Sequence, residues 1–341
     1  MSREQASSLL ERYRALVEAA VRRALTARGE TALGQMLGYH LGYAPGPEGS
    51  PPGSSGKRIR GVMCLLASEA VGGETADASP AAAALELLHG FTLLHDDIAD
   101  QDEVRRGRPT VWKVWGVGQA ITAGDAMFAL ANLAVGELTA STATLANVLL
   151  ALNEATLRVC EGQHLDLAYE GRDDVTVEDY LAMIALKTAA LFAAAAAIGA
   201  EVGGGGLAQI DALRSFGHEL GRAFQVRDDV LGLWGEARDL GKPVGSDLQQ
   251  NKRSLPILRA LYLDHPVRTQ LADALAAGIG GGNEAALLAA EMEAAGVREF
   301  CEQMAQQHVV RALAALDSVP LCEGPADDLR LLARYLVERN E

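Results

Sequence analysis

The amino-acid sequence predicts an all-α protein, and three observations carry that expectation. Ala and Leu dominate a composition that is 49% apolar. Apolar residues recur at helical spacing in one segment after another. Alternating strand-like runs are missing. A chain of 341 residues can bury a large core. The expectation is a single large helical domain over residues 1–341, built from roughly a dozen helices.

In chain order, residues 7–28, 80–97, 119–140 and 143–162 carry the helical pattern. Ser79 followed by Pro80 reads as an N-cap with proline at the first helical position. Thr176 with Asp179 three residues on reads as a capping box. Stops fall at Gly72-Gly73, at the glycine run 203–206 and at 280–282. Residues 43–56, rich in Gly, Pro and Ser, read as a solvated, flexible loop. The longest uncharged apolar stretch, 188–200, has 13 residues. It is too short to span a bilayer and suits a buried helix.

Charge excludes two classes of partner. Forty-five acids against 30 bases give a net −15, which argues against nucleic acid and against an anionic membrane surface. Only five of the 30 bases are lysines (Lys57, Lys113, Lys187, Lys242, Lys252), so their positions carry information. The four cysteines have no CxxC spacing and read as reduced, mostly buried thiols of a cytoplasmic protein. The N-terminus is charged from its third residue, unlike a signal peptide.

The densest chemistry lies in "HDDIADQDEVRRGRPT", residues 95–110. Asp96 and Asp100 are four apart, so both carboxylates leave one helix face. Asp97 flanks them. Hard, all-oxygen ligation suits Mg²⁺, which keeps waters and shares phosphate oxygens. Arg105, Arg106 and Arg108 follow, and guanidiniums fork phosphate oxygens. Acids beside such arginines fit a diphosphate site. Taken alone, the run also fits a solvated charged helix end.

A second acid pair favours the site. Asp228-Asp229 lies on an apolar helix in "FQVRDDVLGLWGEARDLGKPVGSDLQQNKRSLP", residues 224–256, with Lys242 and Lys252 after it. Across a helical cavity the two pairs could grip a metal–diphosphate cluster. Lys57 and Arg60 open a helix, as an anion site or merely a basic first turn. Lys187-Thr188 heads an alanine-rich helix, where an uncompensated lysine wants an anion. His89 sits two turns before Asp96, as a ligand or a satisfied core residue.

These motifs together resemble those of the trans-isoprenyl diphosphate synthases, the polyprenyl synthetase family. The likeness spans residues of about 30–260 and rests on "GKRIR", "LLHGFTLLHDDIAD....RRGRPT", "GQHLD", "KTAALF" and "FQVRDDVLG....GKPVGSDL...K.SLP", in order and at matching spacing. The resemblance implies an all-α isoprenoid synthase fold around a central cavity, and usually a homodimer. It implies that Asp96, Asp100 and Asp228 hold Mg²⁺, typically three ions, on an allylic diphosphate. Arg105, Lys187, Lys242 and Lys252 match positions that hold the same diphosphate. Lys57, Arg60, His89 and Arg106 match the pocket for isopentenyl diphosphate, and Thr188 and Gln225 match residues whose oxygens face the carbocation. Asp97 and Asp229 complete the two catalytic motifs. The second motif departs from the family pattern at Gly232, where a third aspartate is usual.

The implied reaction is ionisation of an allylic diphosphate, stabilised by Mg²⁺ and fixed cations, followed by attack from isopentenyl diphosphate. The released diphosphate takes the proton, and an apolar cavity keeps water out. The growing tail is expected to run down the helix of Asp96, at about 5.4 Å per turn. Phe91 is then the first bulky side chain, with small Thr92 beside it. An aromatic there, without an insertion in the motif, resembles geranylgeranyl diphosphate (C20) synthases, with farnesyl (C15) next. A terpene cyclase would lack Lys57, Arg60 and His89. A non-catalytic regulatory subunit would lose an aspartate motif, of which Gly232 is the one hint.

Overall fold

The helical periodicity is realised along nearly the whole chain. The computed structural model describes residues 3–26, 31–46, 52–235, 248, 252–279 and 282–338. Among them are fifteen α-helices, one π-helical turn and one two-stranded hairpin. The residues fall into two compact units.

The first unit comprises Met1–Thr156, Ala194–Arg214 and Leu316–Leu331. It contains α1 (Arg3–Thr26), α2 (Ala32–His40), α3 (Ile59–Ala70), α4 (Thr75–Ala99), the strands β1 (Val104–Arg105) and β2 (Arg108–Pro109), α5 (Val111–Trp115), α6 (Val117–Val135) and the start of α7 (Thr142–Tyr169). Its centre is α4, which packs against α6, α3 and α1. Every residue from Ala81 to Leu88 is buried, as in a helix enclosed on all sides. One of these is Glu86, whose carboxylate accepts from Gly61 N–H at 2.9 Å and pairs with buried Arg58 at 3.5 Å.

The sequence places a helix start at Ser79-Pro80, and the structure moves it. The helix begins at Thr75 after Glu74 in extended backbone, and Pro80 lies in its second turn. Proline there leaves one carbonyl, that of Ala76, without its N–H. The burial that follows outweighs that single lost bond, and Ser79 Oγ turns back to donate to Thr75 O at 2.7 Å.

The second unit comprises Leu157–Ala193, Ser215–Ala315 and Leu332–Glu341. It holds the rest of α7, then α8 (Val177–Ile184), the π turn (Ala185–Ala189) and the start of α9 (Ala190–Val202). Most of α10 (Leu207–Trp234) follows, with α11 (Leu255–Leu261), α12 (Val267–Ala277), α13 (Gly282–Ala294), most of α14 (Val297–Asp317) and the end of α15 (Glu323–Glu338). Its core gathers Tyr180, Val226, Val230, Leu255, Leu258 and Met292. The capping box at α8 forms as read: Asp179 N–H donates to Thr176 Oγ1 at 3.1 Å, and Thr176 N–H donates to Asp179 Oδ2 at 3.0 Å.

Four further expectations meet the structure. One run, Val177–Val202, is long and apolar enough by length and composition to cross a membrane, and 72% of its apolar window is buried within the protein. It exceeds the 188–200 stretch because the helix continues through the charged residues before it. Cys64 and Cys301 are buried and Cys160 and Cys322 exposed, all unpaired, so the thiols are half buried rather than mostly. Of the 43–56 loop, 47–51 lie outside the described residues, as do Gly280 and Gly281. Residues 104–109 form a hairpin where the sequence shows no strand.

Candidate active site

The hairpin follows from its turn. Val104 pairs with Pro109 and Arg105 with Arg108, leaving Arg106-Gly107 as the two-residue loop. Both loop residues have positive φ, 51° and 74°, the requirement of a type I′ turn that glycine meets without strain. This returns Arg105 towards the end of α4. Arg105 Nε donates to Asp97 Oδ1 at 2.5 Å, and its Nη2 lies 3.7 Å from Asp102. Asp97 is 1% exposed. Burial pushes its carboxyl up to about 6, against the pull of Arg105. Its Oδ2 is buried without a hydrogen-bond partner among the described residues.

Asp96 and Asp100 sit at the last turn of α4, where Asp100 is the C-cap and its N–H donates to Asp96 O. That end of a helix dipole is negative and repels carboxylates unless a cation is near. Among the described residues, no group of three or more His, Cys, Asp or Glu side chains converges to hold a metal alone. Mg²⁺ needs only one or two carboxylates when water and phosphate complete its shell. Two aspartates one turn apart, at an electronegative helix end, fit that ion.

A basic pocket occupies the same unit. It is lined by Tyr39, His40, Ser54, Arg105, Arg106 and Arg108, with Asp97 at its wall. The imidazole of His40 is pushed down to about 3, by burial first and then by Arg106, Arg105 and Arg58. Burial likewise lowers His89, reinforced by Arg60, Arg106, Arg58 and Arg105. Positive groups this close raise one another's cost unless an anion joins them. Arg58 is a structural member: it donates to Leu41 O and Tyr43 OH at 3.0 Å each and opens α3 in left-handed backbone, φ 52°. That inward arginine separates Lys57 from Arg60, both only partly buried.

In the second unit, the site residues gather around the π turn, a feature frequent at functional sites. It contains Lys187 and Thr188. Gly162 of α7 allows the close approach, since a Cβ there would lie 2.2 Å from Lys187 N. The next turn supplies Asp166, which accepts from Lys187 Nζ at 2.5 Å. The lysine read as uncompensated is thus compensated within the chain. Gln163, between them, has both amide atoms buried without a partner among the described residues.

Thr188 Oγ1 donates to Gln225 Oε1 at 2.7 Å, and Gln225 Nε2 donates to Asp229 Oδ1 at 2.9 Å. Asp229 Oδ2 accepts from Tyr180 OH at 2.7 Å and Leu255 N–H at 3.0 Å. Asp229 is buried, while its neighbour Asp228 stays partly exposed. Lys252 is described and partly buried, and Lys242 lies outside the described residues.

Phe91 stands about 140° round α4 from Asp96, on the side that meets α6. Its ring lies edge-on to His95, centroids 4.9 Å apart, and 5.5 Å from Phe128. Thr92 Oγ1 donates to His89 O at 2.8 Å. The helices touch at Gly90, where a Cβ would lie 2.3 Å from Met127 Sδ.

Within the first unit the structure brings together Asp96, Asp97, Asp100, Arg105 and Arg106, with Arg60 and His89 near enough to share their field. Within the second it joins Lys187, Thr188, Gln225 and Asp229. His40, Asp166 and Phe128 were not singled out from the sequence. Asp166 was legible as an acid one turn after Gly162. The other two carry no local signal.

Carboxylates at the end of α4 beside a pocket of arginines are a donor set that fits a divalent metal and a phosphorylated substrate. The chain belongs to the polyprenyl synthetase family, whose model matches residues 52–318. It is 43% identical over 316 residues to a geranylgeranyl diphosphate synthase of Mycobacterium tuberculosis, covering 91% of this chain and 88% of the relative. It is 37% identical over 309 residues to a (2E,6E)-farnesyl diphosphate synthase of Mycobacterium bovis, covering 89% and 85%. Its fold matches the crystal structure of a polyprenyl synthetase from Streptomyces coelicolor with TM-score 0.90 and 38% identity, over 97% of this chain and 99% of that one. Its activity is that of a short-chain trans-isoprenyl diphosphate synthase.

Proposed function

We propose that the protein joins isopentenyl diphosphate to an allylic diphosphate and releases geranylgeranyl diphosphate, the C20 product. The observation that carries this reading is the pairing, on and beside α4, of a carboxylate site for a cation with an arginine–histidine pocket for an anion. Asp96, Asp100 and Asp228 are the proposed ligands of Mg²⁺, three ions by family resemblance. When bound, the metal supplies the Lewis acidity that draws charge from the leaving diphosphate. Arg105, Lys187, Lys242 and Lys252 hold that diphosphate as fixed cations. Lys57, Arg60, His89 and Arg106 hold isopentenyl diphosphate, which brings its double bond within reach of the cation. Before the anion binds, burial and the surrounding arginines hold His89 and His40 towards their neutral forms. The oxygens of Thr188 and Gln225 face the cation.

Residues 1–341 act as one isoprenoid synthase domain in this reading, supported by a family match that covers residues of both units. The reading includes a cytoplasmic homodimer without nucleic-acid partners.

The product length rests on Phe91, braced by Phe128. The assay combines purified protein, Mg²⁺, labelled isopentenyl diphosphate and the C5, C10 or C15 allylic diphosphate, with chromatography of the dephosphorylated alcohols. A C20 product supports the reading, and a C15 product replaces it with the farnesyl alternative. A hydrocarbon formed without isopentenyl diphosphate would reveal a cyclase, and no turnover a regulatory subunit. Phe91→Ala is expected to lengthen the product by at least one C5 unit.

A further inference from the structure

The chain of hydrogen bonds from Asp229 to Thr188 has a fixed direction. A carboxylate only accepts. Gln225 must therefore turn its NH₂ to Asp229, as the 2.9 Å contact shows, and its amide oxygen faces the other way. That oxygen lies 2.7 Å from Thr188 Oγ1. It carries no proton, so the hydroxyl must donate. A hydroxyl has one proton and two lone pairs. With the proton committed to Gln225, Thr188 presents electron density to any other group it meets.

The far side of Asp229 is fixed as well. Among the described residues, Tyr180 OH and Leu255 N–H donate to Oδ2, and Gln225 Nε2 donates to Oδ1. The second acid of the second motif is thus enclosed by donors of its own unit. We propose that Asp229 is a positioning residue, whose carboxylate sets the polarity of the Gln225–Thr188 pair so that the Thr188 oxygen turns its lone pairs to the allylic cation. This rests on the prenyltransferase reading above. A developing positive charge gains from preorganised lone pairs and loses from an O–H dipole turned towards it.

Asp229→Asn inverts the relay while keeping every heavy atom in place. Its carbonyl oxygen stays with the two donors, Tyr180 and Leu255. Its NH₂ then meets Gln225 and demands an acceptor, so the Gln225 amide flips and offers its own NH₂ to Thr188. The hydroxyl becomes the acceptor, and its proton turns elsewhere.

The test measures steady-state elongation with Mg²⁺, isopentenyl diphosphate and the preferred allylic starter. Asp229→Asn is expected to lower kcat on the order of tenfold to 100-fold, with both KM values and the Mg²⁺ half-saturation within about twofold of the parent. Thr188→Val should lower kcat similarly, and adding Asp229→Asn to it should cost nothing more, because the relay then has no terminus. Thr188→Ser, which keeps the hydroxyl, should retain kcat within about threefold. Tyr180→Phe, which leaves the Gln225 contact intact, should keep kcat within about twofold.

An unchanged kcat in Asp229→Asn, multiplying losses in the double variant, or a raised Mg²⁺ half-saturation would each overturn the relay. Should Asp229→Asn fail to fold, the Thr188 pair decides: equal losses in Val and Ser variants sink the proposal. A parent protein that elongates no starter overturns the underlying reading and the relay with it. A parent that elongates normally beside an equally active Asp229→Asn overturns the relay alone.

Discussion

At Asp96-Asp97 the inward acid meets a guanidinium, and at Asp228-Asp229 it accepts, among the described residues, from a tyrosine hydroxyl, a side-chain amide and a backbone N–H. Asp97 shares one oxygen with Arg105 and keeps the other buried without a partner among the described residues. Asp229 divides its two oxygens among Tyr180, Leu255 and Gln225. In both motifs the first acid stays partly exposed and the second is buried. The spelling is the same, yet the first pair fastens a hairpin of the pocket wall and the second fastens a helix start and a side-chain relay. Each aspartate doublet therefore fastens one carboxylate to the scaffold and leaves the other for the proposed ligand.

The largest effect separates the members of a pair. Asp96→Ala or Asp100→Ala should lower kcat/KM on the order of 10³-fold, since several kcal/mol of charge stabilisation depend on the metal they are proposed to hold. The melting temperature should change little. An equal kinetic loss from Asp97→Asn would erase the division of labour.

Next in size is the lock at the second pair. Asp229→Ala strands two buried donors and one partly buried one and should cost about 3 kcal/mol by urea unfolding. A cost below about 1 kcal/mol would mean that water replaces the carboxylate there.

The first pair has a pH signature instead. The carboxyl of Asp97 is raised to about 6 in the fold, chiefly by burial. The folded state thus favours its protonated form. The stability it contributes is complete below the unfolded value, near 4, and is lost as pH rises through 6. Without metal, that loss should be on the order of 2 kcal/mol, read from urea midpoints between pH 4 and 7. Asp97→Asn should flatten this slope, and a variant with the same slope would assign it elsewhere.

The smallest effect is Tyr180→Phe, expected to cost about 1 kcal/mol for one hydrogen bond to a carboxylate that retains two other donors. A cost like that of Asp229→Ala would make Tyr180 the keystone of the lock.

Much of this was legible because helices write their chemistry at fixed intervals. The four-residue spacing of Asp96 and Asp100, the capping box at Thr176 and the ordered motifs all survive folding. What the sequence hid were directions and long-range partners. Lys57, Arg58 and Arg60 read as one basic turn, yet left-handed backbone at Arg58 sends it inward to Glu86. Lys187 reads as alone because Asp166 lies 21 residues away. His40 enters the basic pocket through the packing of α2, which no local pattern announces. Phe128 became visible only once Gly90 let α6 come close. Pro80 misled because burial of α4 outweighed one missing bond.

The π turn carries a consequence of its own. A single surplus residue between α8 and α9 shifts the angular phase of everything after it by about 100°. The apolar stripes of the two helices thus obey one period but start from different zeros. Removing one residue from Ala185–Ala189 would restore an unbroken spiral, and would turn either the capped face of α8 or the alanine face of α9 away from its packing partners. Lys187 and Thr188 occupy the segment where that mismatch is absorbed. The placement of Lys187 and Thr188 is thus written as a count of residues rather than as their identity.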